Sequence, residues 1–98
     1  MAEERYSLTD QIRRAARSVC SNLAESWRKR RYRAVFINKL TDAQQEFSET
    51  QTWLDFCVAR KYLEHQTFDR LENEYEKIPG MLNSMEMKAD KFCFQLIE

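Results

Sequence analysis

The chain has 98 residues, the length of a single domain, and one third of them are charged. It contains one Gly and one Pro, so there are few places to turn, and the helix-favouring residues Ala, Leu, Glu, Lys, Arg and Gln are plentiful. No run approaches the ~20 apolar residues of a membrane span, and the charged N-terminus is followed by no apolar signal segment. We therefore expect a cytoplasmic, all-α domain.

The formal net charge is zero, but the charges are unevenly distributed. Residues 1–40 carry ten basic and four acidic side chains, a net charge of +6, whereas residues 41–98 carry six and twelve, a net charge of −6. Such a split suits a polyanion site, or contact between the basic part of one subunit and the acidic part of another. Simple solvation of the two parts is the alternative.

The first predicted helix covers about residues 7–27, after a lead-in of residues 1–6 that we expect to be frayed. Ser7 with Asp10 three residues on resembles a capping box. Apolar residues then recur on one helical face: Leu8, Ile12, Ala15, Ala16, Val19, Leu23 and Trp27. This spacing predicts an amphipathic helix.

A basic turn is predicted at about residues 26–31, where the apolar period is lost. Residues 28–33 carry five cations around one aromatic side chain, and Trp27 precedes them. Each cation can contact a phosphate while an aromatic ring stacks on an unpaired base. The candidate nucleic-acid-binding residues are Trp27, Arg28, Lys29, Arg30, Arg31, Tyr32 and Arg33, with Arg13 and Arg17 extending the same face. The alternative is a solubilising turn whose arginines pair with acidic groups of a neighbouring subunit.

The second predicted helix, about residues 31–63, is unusually long. Its apolar seam alternates steps of four and three residues through Phe36, Leu40, Ala43, Phe47, Thr50, Leu54 and Cys57. This is a heptad pattern, which places the seam along one side of the helix. We expect other helices to cover it, from this chain or from copies of it.

The third predicted helix covers about residues 66–88. Its apolar positions are Phe68, Leu71, Tyr75, Ile78, Leu82 and Met85. Because the apolar phase continues across Pro79, we expect a kink there rather than a fresh start. Residues 89–98 form a tail whose apolar side chains, from Phe92 to Ile97, either pack on a neighbour or are disordered. The predicted fold is one antiparallel up-and-down bundle of three helices.

The sequence offers little for catalysis. It has a single histidine, His65, and neither a glycine-rich phosphate loop nor a paired-histidine metal motif. We expect no enzymatic activity, cofactor or metal. The cysteines form no CxxC pair, and Cys20 and Cys57 are predicted to be buried, reduced thiols.

Three polar residues are predicted to be structural: Asn22, Glu25 and Glu49. Both carboxylates lie beside apolar positions, so we expect them to be partly buried. Their expected partners are Arg13, Arg14 or Asn22.

Several spaced motifs resemble one protein family. They are residues 11–16 (QIRRAA), 18–19 (SV), 22–25 (NLAE), 36–37 (FI), 49–54 (ETQTWL), 62–63 (YL) and 80–83 (GMLN), together with Leu40. They are similar to motifs of the four-helix-bundle proteins first noticed as reading frames in intervening sequences of bacterial large-subunit ribosomal RNA genes. The resemblance covers roughly residues 4–87.

The resemblance implies up-down-up-down bundles that assemble as rings, commonly pentamers. The related accessory variability determinant proteins of diversity-generating retroelements bind nucleic acid and a reverse transcriptase. By analogy, the expected partners are further copies of the chain, RNA or DNA, and a reverse transcriptase. The predicted function is a non-enzymatic, self-assembling bundle that binds RNA or acts as a scaffold. The alternative is an interaction subunit whose open apolar groove accepts a partner helix.

The chain departs from the family pattern in three places. No counterpart of the family's first helix precedes residues 3–6 in this sequence, and either a truncated start or a member with three helices would account for that. We expect an open groove that a partner subunit or the Phe92–Ile97 tail fills. Ser26 and Lys61 stand where many relatives have glycine.

Overall fold

The computed structural model describes residues 2–94. Five helical segments make up the fold: α1 (Ala2–Arg28), α2 (Arg33–Ala59), α3 (His65–Tyr75), α4 (Lys77–Met87) and α5 (Ala89–Phe92). Residues 2–94 contain no β-strand, which confirms the all-α class. Leu96 and Ile97 of the predicted tail lie outside the described residues.

Helix α1 begins earlier than predicted. It is helical from Ala2, so the frayed lead-in is wrong, and Ser7 lies exposed inside the helix instead of capping it. Ala, Glu and Arg are good helix formers, and Glu3 and Glu4 in the first turn complement the helix dipole. Glu4 also accepts a hydrogen bond from Arg60 at 2.8 Å, which ties this end of α1 to the end of α2.

Helix α2 is the central element of the fold. All seven residues of its predicted seam are buried, from Phe36 to Cys57. Helix α1 packs antiparallel to it, because Glu4 pairs with Arg60 at one end and Glu25 with Lys39 at the other. The later helices also run antiparallel to α2. Their contacts with it proceed in reverse order: Tyr75 beside Phe47, Glu86 beside Thr41, and Asp90 beside Arg33.

The apolar core forms where α1, α2, α4 and α5 meet. Its buried members are Phe36, Leu40, Ala43, Leu82 and Ala89. Leu40, Phe47 and Leu54 are at most 7% exposed, so the chain's own residues cover them and the expected open groove does not lie over this seam. The exposed large apolar side chains lie elsewhere, at Tyr6, Trp27, Tyr32, Phe56, Met81, Met87 and Phe94.

The third predicted helix is two helices in the structure. They are separated at Glu76, and Pro79 lies within the first turn of α4. Proline is tolerated there because the first amides of a helix have no acceptor within the helix. A single helix kinked at Pro79 is therefore not confirmed, and the count of three helices becomes five segments.

The cysteine prediction is half correct. Cys57 is buried, and burial raises the pKa of its thiol. Cys20 is exposed, because it points away from α2 on the outer side of α1. Cys20, Cys57 and Cys93 are all free thiols in the structure.

Helix α2 ends in a Schellman motif formed by the residues that follow Ala59. The Tyr62 amide donates to the Cys57 carbonyl at 2.8 Å, and the Lys61 amide donates to the Val58 carbonyl at 3.0 Å. Lys61 has a φ of 62°, in the left-handed region where a side chain is strained. Glycine adopts this conformation without steric cost.

Replacing Lys61 should therefore stabilise the protein. We expect Lys61→Gly to raise the free energy of unfolding by about 1 kcal/mol, because it relieves the left-handed strain. Chemical denaturation measures the change. Ala24→Gly, in the exposed interior of α1, is the control and should lower stability by about 1 kcal/mol. A loss of stability in both variants would contradict the strain at Lys61.

Candidate nucleic-acid interface

The turn between α1 and α2 spans residues 29–32, close to the predicted position. The Lys29 amide donates to the carbonyls of Glu25 and Ser26 at 3.0 Å, and the Tyr32 amide donates to the Lys29 carbonyl at 2.9 Å. Tyr32 in turn accepts from the Phe36 amide, which starts α2. Backbone groups of the turn are thus hydrogen-bonded to the turn itself and to the adjoining ends of α1 and α2. The side chains of the turn lie at one end of the α1–α2 pair.

Arg30 packs against aromatic rings. Its Nε donates to the Trp27 carbonyl at 2.8 Å, and its guanidinium lies 3.7 Å from the centroid of the Trp27 ring. The Phe94 ring lies 4.9 Å from the same guanidinium. The Arg30 guanidinium thus makes cation–π contacts with both rings, Trp27 and Phe94. Arg30 therefore covers one face of Trp27, the residue predicted to stack on a base.

The predicted tail packs against the turn as far as Phe94. The Phe94 amide donates to the Arg30 carbonyl at 3.0 Å, and the Phe92 ring lies 5.9 Å from Trp27 and 6.4 Å from Phe36. Asp90 accepts a hydrogen bond from Arg33 at 2.8 Å. Residues 89–94 thus pack on their own chain, against the turn and the start of α2.

Three cations of the predicted cluster are exposed and could contact a phosphate. Arg28 at the end of α1, and Lys29 and Arg31 in the turn, are exposed and form no salt bridge with any residue between 2 and 94. Lys29 acts on the Glu25 carboxyl only through its charge, without a salt bridge. Tyr32 beside them is 54% exposed and Trp27 is 44% exposed. The structure therefore divides the predicted cluster into Arg30 and Arg33, which contact residues of their own chain, and cations that form no salt bridge with a described residue.

The two predicted cations of α1 are also exposed. Arg13 and Arg17 form no ion pair with a described residue, whereas Arg14 is paired with Asp10 at 3.1 Å. Arg13 precedes Arg28 by fifteen residues, which is about 22 Å along a helix axis. The structure thus places these cations on α1, away from the turn.

The predicted structural polar residues are placed differently from the expectation. Glu25 is exposed and pairs with Lys39 at 2.7 Å, not with an arginine of its own helix. The hydrogen bond from Lys39 lowers the pKa of the Glu25 carboxyl, and the same contact raises the pKa of Lys39. Asn22 is half-buried and donates to the Ser18 carbonyl at 2.9 Å.

Glu49 is exposed, so its expected partial burial is wrong. Its neighbour Glu46 is half-buried and was missed by the sequence reasoning. Burial, followed by the nearby charges of Glu49 and Asp42, raises the pKa of the Glu46 carboxyl. This edge of α2 is therefore acidic, which would repel a polyanion there.

Ser26 occupies a site that has room only for a small side chain. It is completely buried, and its hydroxyl donates to the Leu23 carbonyl at 2.6 Å. Because the hydroxyl bonds within its own helix, serine fits this site without leaving a buried polar group unpaired.

Neither a candidate membrane span nor a candidate metal site occurs among residues 2–94. No helix in that range is both long and apolar enough to cross a membrane. Nor does it contain a group of three or more His, Cys, Asp or Glu side chains arranged to hold a metal ion.

The fold and the turn define an all-helical protein with an exposed basic turn at one end of its α1–α2 pair. The model of the 23S rRNA-intervening sequence protein family matches residues 1–84, and the chain belongs to that family. A crystal structure of a protein of unknown function from the S23 ribosomal protein family of Bacteroides thetaiotaomicron VPI-5482 has 30% sequence identity and a TM-score of 0.74. That similarity covers 81% of this chain and 72% of the other. The comparison with curated proteins gives no match.

Proposed function

We propose that this protein is a non-enzymatic RNA-binding module and that the α1–α2 turn is its interface. The observation that carries the proposal is the set of three exposed cations, Arg28, Lys29 and Arg31, which form no salt bridge with any described residue. Cations already neutralised by carboxylates gain little from a phosphate, whereas free ones release counterions when the strand binds. Exposed Tyr32 adds a ring face for an unpaired base.

The test measures binding of fluorescently labelled single-stranded RNA by anisotropy over a range of salt concentrations. The variant Arg28→Ala/Lys29→Ala/Arg31→Ala removes the exposed cations and leaves Arg30 and Arg33 in their structural contacts. We expect it to lose most of the affinity at low salt. If three phosphate contacts are lost, the slope of log K against log salt should become shallower by about 2.

A charge-matched control separates a local interface from a general effect of net charge. The variant Arg70→Ala/Lys77→Ala/Lys88→Ala removes three exposed cations from α3, α4 and the residue after α4. We expect this control to bind RNA like the unaltered protein. Equal losses in both variants, or an unaltered protein that binds no RNA at low salt, would overturn the proposal.

We also propose that the chain self-associates. Residues 2–94 are elongated, with extents of 60 × 24 × 13 Å and a radius of gyration of 16.2 Å, against about 13 Å for a compact chain of this length. On α4, Met81 is 64% exposed and Met87 is 79% exposed, which is apolar surface that a second subunit would bury. Light scattering should give a mass above that of one chain, and a monodisperse monomer would contradict this second proposal.

A further inference from the structure

We infer that the outer face of α1 continues the interface as a track for single-stranded RNA, running from the turn to a hollow beside Tyr6. The inference rests on the proposed RNA binding and adds the form of RNA that is bound and the path it takes. Tyr6, which is not among the predicted nucleic-acid-binding residues, lies at the far end of this track.

Helical register places the residues of this track in one line. With 3.6 residues per turn, Tyr6, Arg13, Arg17, Ala24 and Arg28 fall within about 60° of the circumference of α1. All five are exposed. The buried face of α1, formed by Leu8, Ala15 and Ser26, lies on the opposite side against α2. The line is therefore open to solvent along its whole length.

The electrostatics of this line favour a polyanion. Arg13 and Arg17 lie one turn apart and form no ion pair with a described residue. Two acidic side chains border this face: Asp10 is paired with Arg14 at 3.1 Å, and exposed Glu3 lies beyond the last arginine, one turn before Tyr6. Between Arg17 and Arg28 the exposed residues on this line are the small Cys20 and Ala24. Small side chains let a strand lie close to the helix while the arginines reach its phosphates.

The far end of the line is concave and aromatic. An open hollow of about 970 Å³ is lined by residues that include Arg5, Tyr6, Arg13 and Tyr62. Tyr6 is 76% exposed, so its ring presents a face on which a base can stack. Tyr6 lies about 33 Å from Arg28 along the helix axis, so only a strand of several nucleotides reaches from one end to the other.

The arrangement suits a single strand better than a duplex. Exposed aromatic rings stand at both ends of the track, Tyr6 at one and Tyr32 at the other, with cations between them. Stacking rings combined with backbone-tracking cations are the typical features of sequence-tolerant single-strand binding. In an A-form duplex the bases are stacked on one another, so their faces are not accessible for stacking on Tyr6 or Tyr32.

The experiment measures affinity for single-stranded RNA of increasing length, from about four to about twenty nucleotides, a span chosen around the site sizes of single-strand binders. The variants are Tyr6→Ala and Arg13→Ala/Arg17→Ala, and the charge-matched control is Arg70→Ala/Lys77→Ala. Circular dichroism checks that helix content is unchanged.

We expect affinity to rise with length until the strand spans the track and then to level off. With long strands, Tyr6→Ala should weaken binding by about fivefold, which corresponds to the loss of one stacked base. The variant Arg13→Ala/Arg17→Ala should make the salt slope shallower by about 1.4, the value for two lost phosphate contacts. The shortest strands, which reach only the turn, should bind both variants like the unaltered protein.

Several outcomes would overturn the inference. The triple variant Arg28→Ala/Lys29→Ala/Arg31→Ala, here called the turn variant, is measured alongside. If it loses binding while long strands bind the α1 variants like the unaltered protein, the track along α1 is contradicted and the proposed function stands. If the turn variant also binds normally, the proposed function itself fails. A duplex bound as tightly as a single strand of equal length would overturn the assignment to single strands. Equal losses in the α1 double variant and the Arg70→Ala/Lys77→Ala control would show a net-charge effect and no track.

Discussion

Phe36→Ala should lower the free energy of unfolding by about 4 kcal/mol, because it removes a large, fully buried aromatic side chain and leaves a cavity. Phe36 has no exposed surface and belongs to the core cluster with Leu40, Ala43, Leu82 and Ala89. These residues come from three helices, so the cavity would open where α2, α4 and α5 meet. Chemical denaturation followed by circular dichroism measures the loss.

Phe56 provides a matched control for this prediction. It is also a phenylalanine of α2, but it is 43% exposed. Truncation of an exposed side chain leaves no cavity, so Phe56→Ala should cost less than about 1 kcal/mol. Comparable losses for the two substitutions would contradict the burial pattern of α2.

Phe92→Ala should lower the free energy of unfolding by about 2 kcal/mol, less than for a fully buried phenylalanine because Phe92 is half-buried. The substitution removes a ring that contacts both Trp27 and Phe36. It should also expose Trp27 further to water. We expect the fluorescence emission of Trp27 to shift to longer wavelength.

The fluorescence measurement uses Trp53→Phe as its background, because the chain contains two tryptophans and this change leaves Trp27 alone. Phe94→Ala is the control. Phe94 is 57% exposed and contacts Arg30, so its loss should change stability little. If Phe92→Ala leaves both stability and emission unchanged, the packing of α5 against the turn is wrong.

The predictability of the fold from sequence varies among the elements. The seam of α2 was predictable residue by residue, because a heptad of apolar side chains on a long helix has only one face to bury. The break at Glu76 was missed because the apolar phase continues through it, although Pro79 lacks the amide that would bond the Tyr75 carbonyl four residues earlier. The helical start at Ala2 was missed because residues 2–6 carry no apolar period, and a long-range pair with Arg60 supports that start.

The candidate site was predictable in its location but not in its internal roles. Five cations in six residues mark the turn in the sequence. Nothing in that run shows that Arg30 stacks on Trp27 or that Arg33 pairs with Asp90, because these contacts depend on where α5 and Phe94 pack. The same limit applies to Glu25, whose partner, Lys39, lies on the neighbouring helix.

Photo-crosslinking tests the central claim most directly, because it reports where RNA lies on the protein. Single-stranded RNA containing 4-thiouridine would be irradiated with the unaltered protein, and the modified peptides would be identified by mass spectrometry. We predict crosslinks at residues 27–32, with Tyr32 prominent among them. Crosslinks confined to α3 and α4, with none in the turn, would contradict the claim that the unpaired cations of this turn form the RNA interface.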